Sequence, residues 1–247
     1  MYSRCRVSLA LVLCAATSAA TGSEPLTICA EPANLPYAAQ GELGFEIEVA
    51  RLLAADMGRE LRVVYAAQRT KDFLRSTINA GKCDALMSVP VGSGPLATTK
   101  PWYRTSFAAV TRSPAPFDLQ HSSGMRIGLP AGVTAVSLTL HQQGAEHVRF
   151  YSAFAQQQLV ADVVAGTLDV GILWGPFAGW LAGEEKTPLT VSLLPTREDQ
   201  PPFALDMAIG VRRNDSALRE ALDGAIERNR RAIRAVLDGW HVPRTEP

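Results

Sequence analysis

Short apolar runs alternate along the chain with segments whose apolar residues recur at helical spacing. The run at 26–30 is apolar and ends at a proline-containing turn, a pattern typical of a buried strand. In the segment 45–57, Phe45, Val49 and Leu53 share one helical face, and a glycine follows the segment. These patterns predict, in order, strand 26–30, helix 45–57, strand 61–66, helix 70–80 and strand 84–89. The alternation favours parallel strands joined by right-handed crossovers.

The same alternation starts again after the stretch 113–116, whose serine and proline residues follow a β-rich segment at 105–111. The pattern predicts strand 126–129, helix 134–143, strand 148–151, helix 155–165 and strand 169–173. After a second breaker-rich stretch, strand 204–211 and helix 215–239 are predicted to return to the first half. We therefore expect an α/β fold of two βαβ lobes. Lobe one is predicted to comprise 24–111 and 204–240, and lobe two 112–203.

The first residues have the three parts of a secretory signal. Arg4 and Arg6 precede an apolar run at 7–16, and small residues occupy 17–20. The apolar run is shorter than the roughly 20 residues that a membrane span needs. We predict a cleaved signal peptide at 1–20, extending to about residue 23, and a mature chain without a membrane span. Lipidation at Cys14 is an alternative, although a large leucine precedes that cysteine where a lipoprotein box has a small residue.

The charge balance argues against a nucleic-acid partner. The chain has 24 basic and 24 acidic residues, and removal of 1–20 leaves 22 basic residues and a net charge of −2. A nearly neutral chain lacks the electrostatic attraction on which nucleic-acid binding depends. One basic cluster lies on the last predicted helix, beside acidic residues, and is interpreted as a solvated helix face. Its members are Arg228, Arg230, Arg231 and Arg234.

Two cysteines, Cys29 and Cys83, remain after the predicted cleavage, because the other two lie within the signal. An even pair in an exported protein favours a disulfide, which here would close a loop of 53 residues. Two buried free thiols are the alternative, because spacing alone does not establish the geometry that a bridge requires.

Four predicted loops follow strand ends at 31–37, 88–90, 130–134 and 174–176, where ligands bind in open α/β sheets. These loops are aromatic, rich in proline and mostly uncharged, as in many small-ligand sites, although the same residues could simply pack the loops. A helix start at Thr134 could also bind an anion through free N–H groups, or could be an ordinary N-cap. The candidate cleft residues are Glu31, Asn34, Leu35, Tyr37, Ser88, Pro90, Tyr103, Arg104, Gly132, Thr134, Trp174 and Gly175.

Signals for catalysis are weak. The sequence has no Gly-x-Ser-x-Gly nucleophile motif and no complete phosphate-binding loop. The histidines lie outside the predicted cleft loops and lack metal-ligand spacing. Glu31 is the only carboxylate in those loops, and acid–base chemistry usually uses a pair. We predict a protein that is not an enzyme and has neither a metal nor a cofactor.

Several motifs in order resemble one branch of a known superfamily. They are Cys-Ala-Glu-Pro-Ala-Asn-Leu-Pro at 29–36, Gly-Phe-Glu at 44–46, Gly-Lys-Cys-Asp at 81–84, Thr-Thr-Lys-Pro-Trp-Tyr-Arg at 98–104 and Trp-Gly-Pro-Phe-Ala-Gly-Trp at 174–180. Together they resemble the quinoprotein-dehydrogenase-associated branch of the type II periplasmic binding proteins, which includes the methanol-oxidation J proteins. The resemblance covers most of 24–240.

This resemblance implies a venus-flytrap fold, a periplasmic location and a PQQ-dependent methanol or alcohol dehydrogenase as partner. The implied task is maturation or activation of the dehydrogenase, through binding of the enzyme, its chain segment or a small ligand in the interlobe cleft. A solute receptor of an ABC transporter and a periplasmic enzyme share the scaffold and are the alternatives.

Comparison with amino-acid-binding relatives argues against a free amino acid as the ligand. Those relatives have an arginine about nine residues before the position of Pro101, where it holds the ligand carboxylate. This chain has Gly92 there. They also tend to have an aspartate after the strand at 169–173, where Trp174 and Gly175 stand here.

Overall fold

The computed structural model describes residues 23–68, 70–153, 155–196 and 203–245. The predicted signal peptide at 1–20 lies outside these residues. The strands are β1 (Leu26–Ala30), β2 (Ala33–Asn34), β3 (Ala38–Ala39), β4 (Leu61–Tyr65), β5 (Ala85–Pro90), β6 (Ala97–Thr98), β7 (Tyr103–Thr111), β8 (Arg126–Pro130), β9 (His147–Tyr151), β10 (Val170–Trp174), β11 (Thr190–Leu193) and β12 (Ala204–Val211). The α-helices are α1 (Phe45–Asp56), α2 (Phe73–Ser76), α3 (Thr134–Gln142), α4 (Gln156–Val164), α5 (Gly175–Glu184) and α6 (Ser216–Gly239).

The main sheet has the strand order β4-β1-β5-β12-β7-β10-β8-β9, with β6 beside β12 and β11 beside β7. Strand β1 runs parallel to β4 and β5, and β8 runs parallel to β9 and β10. The predicted parallel crossovers are therefore confirmed in both halves. Strand β12 inserts antiparallel between β5 and β7, and its assignment to lobe one stays a prediction.

Strand β7 belongs to both halves of the sheet. Tyr103–Ser106 pairs with β12, whereas Phe107–Thr111 pairs with β10. At this junction Ser106 Oγ donates to the Leu194 carbonyl at 2.9 Å. We propose that the chain crosses between the lobes at Ser106 and Phe107, not after residue 111. One long strand continues through this point without a break, and the proline-rich 113–116 segment forms an exposed bend.

Each half has its own hydrophobic core. In the first half, α1 and α6 pack on the sheet, and Phe45, Leu53 and Ile226 are fully or almost fully buried there. In the second half, α3 covers one face of the sheet, and α4 and α5 cover the other. The predicted apolar stripe of the last helix is confirmed, since its buried residues are Leu218, Leu222, Ala225, Ile226, Ile233 and Leu237. The fully buried apolar residues of the two halves thus form separate clusters, and Trp174 and Phe177 of the second half pack against the cluster of the first.

The helix predicted at 70–80 is much shorter in the structure, where only Phe73–Ser76 is helical. Thr77 Oγ1 donates to the Phe73 carbonyl, and the Thr77 backbone (φ −122°, ψ −86°) departs from helical geometry. Threonine can satisfy backbone groups locally in this way, and that bonding competes with helix continuation. The remainder of the predicted helix is a series of turns that ends at the disulfide.

The segment at 174–176 was predicted to be a loop and instead starts helix α5. Pro176 lies in the first turn of that helix, where its missing N–H leaves no intrahelical bond unmade. Gly175 and Pro176 are thus the first residues of a helix, although they were interpreted as a loop. Strand β11 was not predicted either. The other predicted helices and strands are confirmed, with ends shifted by one residue or so.

The disulfide between Cys29 and Cys83 is confirmed, with 5.5 Å between the two Cα atoms. It connects β1 to the residues that enter β5. Arg212, at the end of β12, donates to the Cys83 carbonyl at 3.0 Å and to the Asp84 carboxylate at 3.1 Å. Among the described helices, none combines the length and the hydropathy that crossing a bilayer requires.

Candidate interlobe cleft

A cavity of about 540 Å³ opens between the two lobes. One side is the loop that follows β1, and the other side is formed by the start of α4 and one face of α5. The lining residues are Glu31, Pro32, Ala33, Asn34, Leu35, Ala39, Gln40, Ala153, Gln156, Gln157, Phe177, Trp180 and Leu181. A volume of this size suits a small molecule or a few residues of a polypeptide.

The rim of the cleft in lobe one is held by hydrogen bonds from β4 and from the residues that follow it. The Glu31 carboxylate accepts a hydrogen bond from the Gln68 backbone N–H at 2.6 Å. The Tyr65 hydroxyl donates to the Ala39 carbonyl at 2.9 Å and accepts from the Glu42 N–H at 3.0 Å. A short β2–β3 pair closes the same loop. These bonds therefore fix the conformation of the rim before any ligand binds.

The rim in lobe two combines an aromatic wall with carboxamides. Phe177, Trp180 and Leu181 recur at helical spacing and present one side of α5 to the cavity. Gln156 and Gln157 come from the first turn of α4. Glu31 is the only charged side chain among the described residues that line the cavity. Among these described residues an anionic ligand would meet a carboxylate and no cation, whereas neutral polar groups can bond to the carboxamides.

Three of the predicted site residues, Glu31, Asn34 and Leu35, line this cavity. Arg104 does not, because its guanidinium pairs with Asp206 across β7 and β12 at 2.8 Å. Pro90 ends β5, and Thr134 is an exposed residue at the start of α3. The roles of these residues in ligand binding stay predictions.

Two predicted site glycines have conformational or packing roles instead of lining the cavity. Gly132 has φ +91°, a left-handed conformation that glycine adopts readily, and it makes the turn before α3. Gly175 lies against β7, where an added Cβ would be 2.4 Å from Thr105 Oγ1. Its ligand-binding role, like that of Gly132, stays a prediction.

The other predicted residues meet in a buried cluster next to the cavity. Tyr103 donates from its hydroxyl to Ser88 Oγ at 3.3 Å. The Tyr37 side chain lies near Trp174 and Tyr103, and both influence the pKa of its hydroxyl. The fifth member is Glu46, a buried acidic residue near Ser88. One loop, one helix and three strands thus bring together side chains that are far apart in the sequence.

Burial dominates the electrostatics of this cluster. It raises the pKa of Glu46 to about 7, and the hydrogen bond from Ser88 opposes that shift. Burial is also the largest cause that raises the pKa of both tyrosines, and the nearby Glu46 charge adds to it. A carboxyl group with a neutral partner in an apolar site holds its proton more tightly than in water. Both tyrosines are therefore neutral hydroxyls at physiological pH.

Glu46 is the member that the sequence reasoning missed, because it lies in a helix and not in a predicted loop. The available signal was an acidic residue between Phe45 and Ile47 in an apolar helical start, within the Gly-Phe-Glu motif. Phe177 joins the cluster to the cavity. It lines the cavity, and its ring centroid is 5.4 Å from that of Tyr37.

No metal centre is indicated in the part of the chain that the structure describes, where no group of three or more His, Cys, Asp or Glu side chains has suitable geometry. Enzymatic acid–base chemistry finds little support in the cavity either. Glu31 is the only acidic residue among the described lining residues, so the cavity offers no paired acid and base.

Comparison with known proteins supports the two-lobed fold. No family model matches the chain. Protein MoxJ of Methylorubrum extorquens is 24% identical over 254 residues, which cover 93% of this chain and 84% of MoxJ. The crystal structure of the periplasmic binding protein XoxJ from Methylobacterium extorquens is 27% identical, with a TM-score of 0.73, and the match covers 90% of this chain and all of XoxJ. A histidine-binding periplasmic protein of Salmonella typhimurium is 26% identical over 89% of this chain and 90% of its own length.

Proposed function

We propose that this protein, a homologue of the MoxJ proteins with the two-lobed fold of type II periplasmic binding proteins, is an accessory protein of a PQQ-dependent methanol or alcohol dehydrogenase. It acts in the periplasm and assists maturation or activation of the dehydrogenase. The interlobe cleft holds the dehydrogenase, a segment of its chain or a small ligand. The observation that carries the proposal is a cleft of about 540 Å³ whose described lining residues include no cation, in a chain that resembles MoxJ and XoxJ.

The chemistry of the cleft supports a neutral occupant. Free amino acids and polycarboxylate molecules need a cation to offset the cost of removing their carboxylates from water. The described lining offers Glu31 and carboxamides instead. Trp180 and Phe177 provide apolar surface of the kind that dominates binding energy at protein interfaces. These features favour an apolar or neutral polar surface of a partner protein over a charged metabolite.

The disulfide supports a location in an oxidising compartment. Structural disulfides form and persist in the periplasm and are rare in the reducing cytosol. The Cys29–Cys83 bridge is buried and connects two adjacent strands, so it is part of the folded core. Together with the predicted export signal, it favours a periplasmic site of action.

Replacing Trp180 by alanine tests the role of the cleft. We expect the variant to bind the dehydrogenase from the same periplasm at least tenfold more weakly, since an aromatic anchor at an interface commonly contributes about 2 kcal/mol or more. Binding is measured by titrating the purified dehydrogenase with the purified protein, and activation by the dye-linked oxidation rate. Leu138→Ala is the matched control, because Leu138 is exposed on α3 and does not line the cavity.

The proposed function would be wrong if the unmodified protein neither bound the dehydrogenase nor changed its activity. Equal loss of binding in the Trp180 and Leu138 variants would place the contact outside the cleft.

A solute receptor is the second candidate, favoured by the likeness to the histidine-binding protein. A thermal-shift screen of the 20 amino acids and of simple alcohols separates the two functions. A ligand at a hundredfold excess over its Kd stabilises the folded protein by about 2.7 kcal/mol, which would raise the melting temperature clearly. We expect no free amino acid to do so. A strong shift with histidine would favour the receptor function.

A further inference from the structure

A second cavity, of about 430 Å³, adjoins the interlobe cleft on the surface of lobe two. Gln157, Trp180 and Leu181 border both cavities. Beyond these shared side chains the second cavity continues between α4 and α5, and its described lining residues all belong to these two helices and to the C-cap of α5. We call this second cavity the α4–α5 groove. It therefore extends the cleft along the outer face of lobe two.

The groove follows both helices in the same direction, from their first halves toward their C-termini. On α4 it is lined by Gln157 and, one turn later, by Ala161. On α5 it is lined by Trp180 and, one turn later, by Glu184. With a rise of about 1.5 Å per residue, Glu184 lies about 10 Å along α5 from Phe177, which lines the cleft. An extended polypeptide covers that distance with about three residues.

The groove has an apolar floor and a polar, accessible rim. Val160 and Leu181 are buried, and Trp180 is half-buried where the groove joins the cleft. Gln157 and Gln158 are exposed on the rim. A carboxamide offers both a donor and an acceptor, as the backbone of an extended chain requires. Because its rim is exposed, a segment of a larger protein can enter the groove from the side.

The far end of the groove is negatively charged. Glu184 is the last residue of α5 and Glu185 is its C-cap, and the last turn of the helix has no basic residue. A helix C-terminus carries partial negative charge, which cations normally offset, so these two glutamates add to that charge. Within the described part of the chain, neither glutamate forms an ion pair. No lysine, arginine or histidine is among the described residues that border the cleft or the groove.

We propose that the α4–α5 groove binds an extended segment of a partner polypeptide through a basic residue and an apolar residue. The basic residue pairs with Glu184 and Glu185, and the apolar residue, about three positions away, packs against Trp180. Lysine and arginine form charge-assisted hydrogen bonds with carboxylates, which are stronger than bonds between neutral groups. The inference rests on the proposed function, in which the cleft receives the dehydrogenase or a segment of its chain. The groove adds the charged anchor that fixes the direction of such a segment.

The first experiment tests the groove without the dehydrogenase. A library of immobilised heptapeptides of random sequence, with blocked termini, is probed with the mature chain. We expect the bound peptides to be enriched in lysine or arginine about two to four positions from a leucine or an aromatic residue. The double variant Glu184→Gln, Glu185→Gln should lose the basic enrichment, because the amides carry no charge.

The matched control for this experiment is the double variant Glu146→Gln, Glu220→Gln. It removes the same charge from two exposed glutamates that border neither the cleft nor the groove, so it should select the same peptides as the unmodified protein. Absence of bound peptides, bound peptides without basic enrichment, or equal loss of enrichment in both double variants would overturn the proposal.

A variant that blocks the groove provides an independent test. Ala161 is exposed in the groove on α4, so arginine can replace it without entering the core. In Ala161→Arg the new side chain occupies the groove and offers its own charge to the glutamates, and we expect the basic peptides to be lost. Ala165→Arg is the control, because Ala165 is exposed at the end of α4 and borders neither cavity. Equal peptide binding by the two arginine variants would contradict the proposal.

The second experiment titrates the purified dehydrogenase with the same variants. We expect Glu184→Gln, Glu185→Gln to bind about three- to tenfold more weakly than the unmodified protein in about 0.02 M salt, with a smaller difference in about 0.5 M salt, because salt screens exposed charges. If the enzyme binds the unmodified protein and both double variants equally, the groove proposal is wrong and the proposed function stands. If the groove selects basic peptides and the enzyme does not bind, the proposed function is wrong and the groove serves another polypeptide.

Discussion

Replacement of both Cys29 and Cys83 by alanine is expected to lower the free energy of unfolding by about 4 kcal/mol, because the bridge closes a long loop and thereby restricts the unfolded chain. The two cysteines are 54 positions apart. For a chain of this size, such a loss corresponds to a melting temperature lower by roughly 10 °C. Chemical denaturation followed by circular dichroism measures the change.

Reduction provides the control for this prediction. The unmodified protein in excess dithiothreitol should unfold with nearly the same midpoint as the double variant, since both lack the bridge. The double variant itself should not respond to the reductant. A loss below about 1 kcal/mol would mean that the unfolded chain gains little freedom when the bridge is absent. The bridge also matters for the cleft, because β1 leads into the Glu31 loop and β5 carries Ser88.

Replacement of Gly179 by alanine is expected to destabilise the protein by about 1–3 kcal/mol, although a glycine-to-alanine change inside a helix is normally stabilising by up to about 1 kcal/mol. The reason is the close approach of the segment 241–245 to α5. An added Cβ would be 1.9 Å from the His241 carbonyl oxygen and 2.7 Å from Pro243 Cδ. A backbone carbonyl cannot change rotamer as a flexible side chain can. The whole segment must therefore move away from α5.

Gly239→Ala is the matched control, since Gly239 is an exposed helical glycine with no atom within 4 Å of an added Cβ. We expect this variant to be as stable as the unmodified protein or slightly more stable. The displaced segment in the Gly179 variant should also exchange its amide hydrogens faster, notably Thr245, which bonds to the Arg104 carbonyl at 3.0 Å. Equal stability of the two variants would show that 241–245 does not pack against α5.

The disulfide and the segment 241–245 affect the cleft through different elements. The disulfide fixes lobe one, from which the Glu31 rim extends. The segment 241–245 lies between α5 and lobe one: Val242 is buried in the core of lobe one, and Thr105 donates to the Pro243 carbonyl at 2.7 Å. Helix α5 supplies the aromatic wall of the cleft. Movement of this segment would therefore change the position of Trp180 and Phe177 relative to lobe one.

Particular residues show which parts of the cavity lining were named from the sequence and which were not. The turn after β1 was identified because glutamate, asparagine and prolines follow a buried strand, and its residues Glu31, Asn34 and Leu35 line the cavity. Phe177 and Trp180 were present only inside a motif used for the resemblance. The glycine and proline at the start of α5 were interpreted as a loop. The face of α5 that lines the cavity was therefore not predicted. Glu46 was missed because a single acidic residue in a helix start usually faces solvent.

The sequence by itself determined most strands and helices, their alternation and the pair of cysteines available for a bridge. These features depend on local spacing, because a buried strand or helix face imposes its own period on the apolar residues. Only the tertiary structure decided that β7 serves both lobes and that a helix wall closes the cleft. It also decided that Trp174 and Phe177 of the second half pack against the core of the first half. Periodicity shows which faces are buried and not which buried faces meet, and the contact between distant segments changes the environment of Glu46.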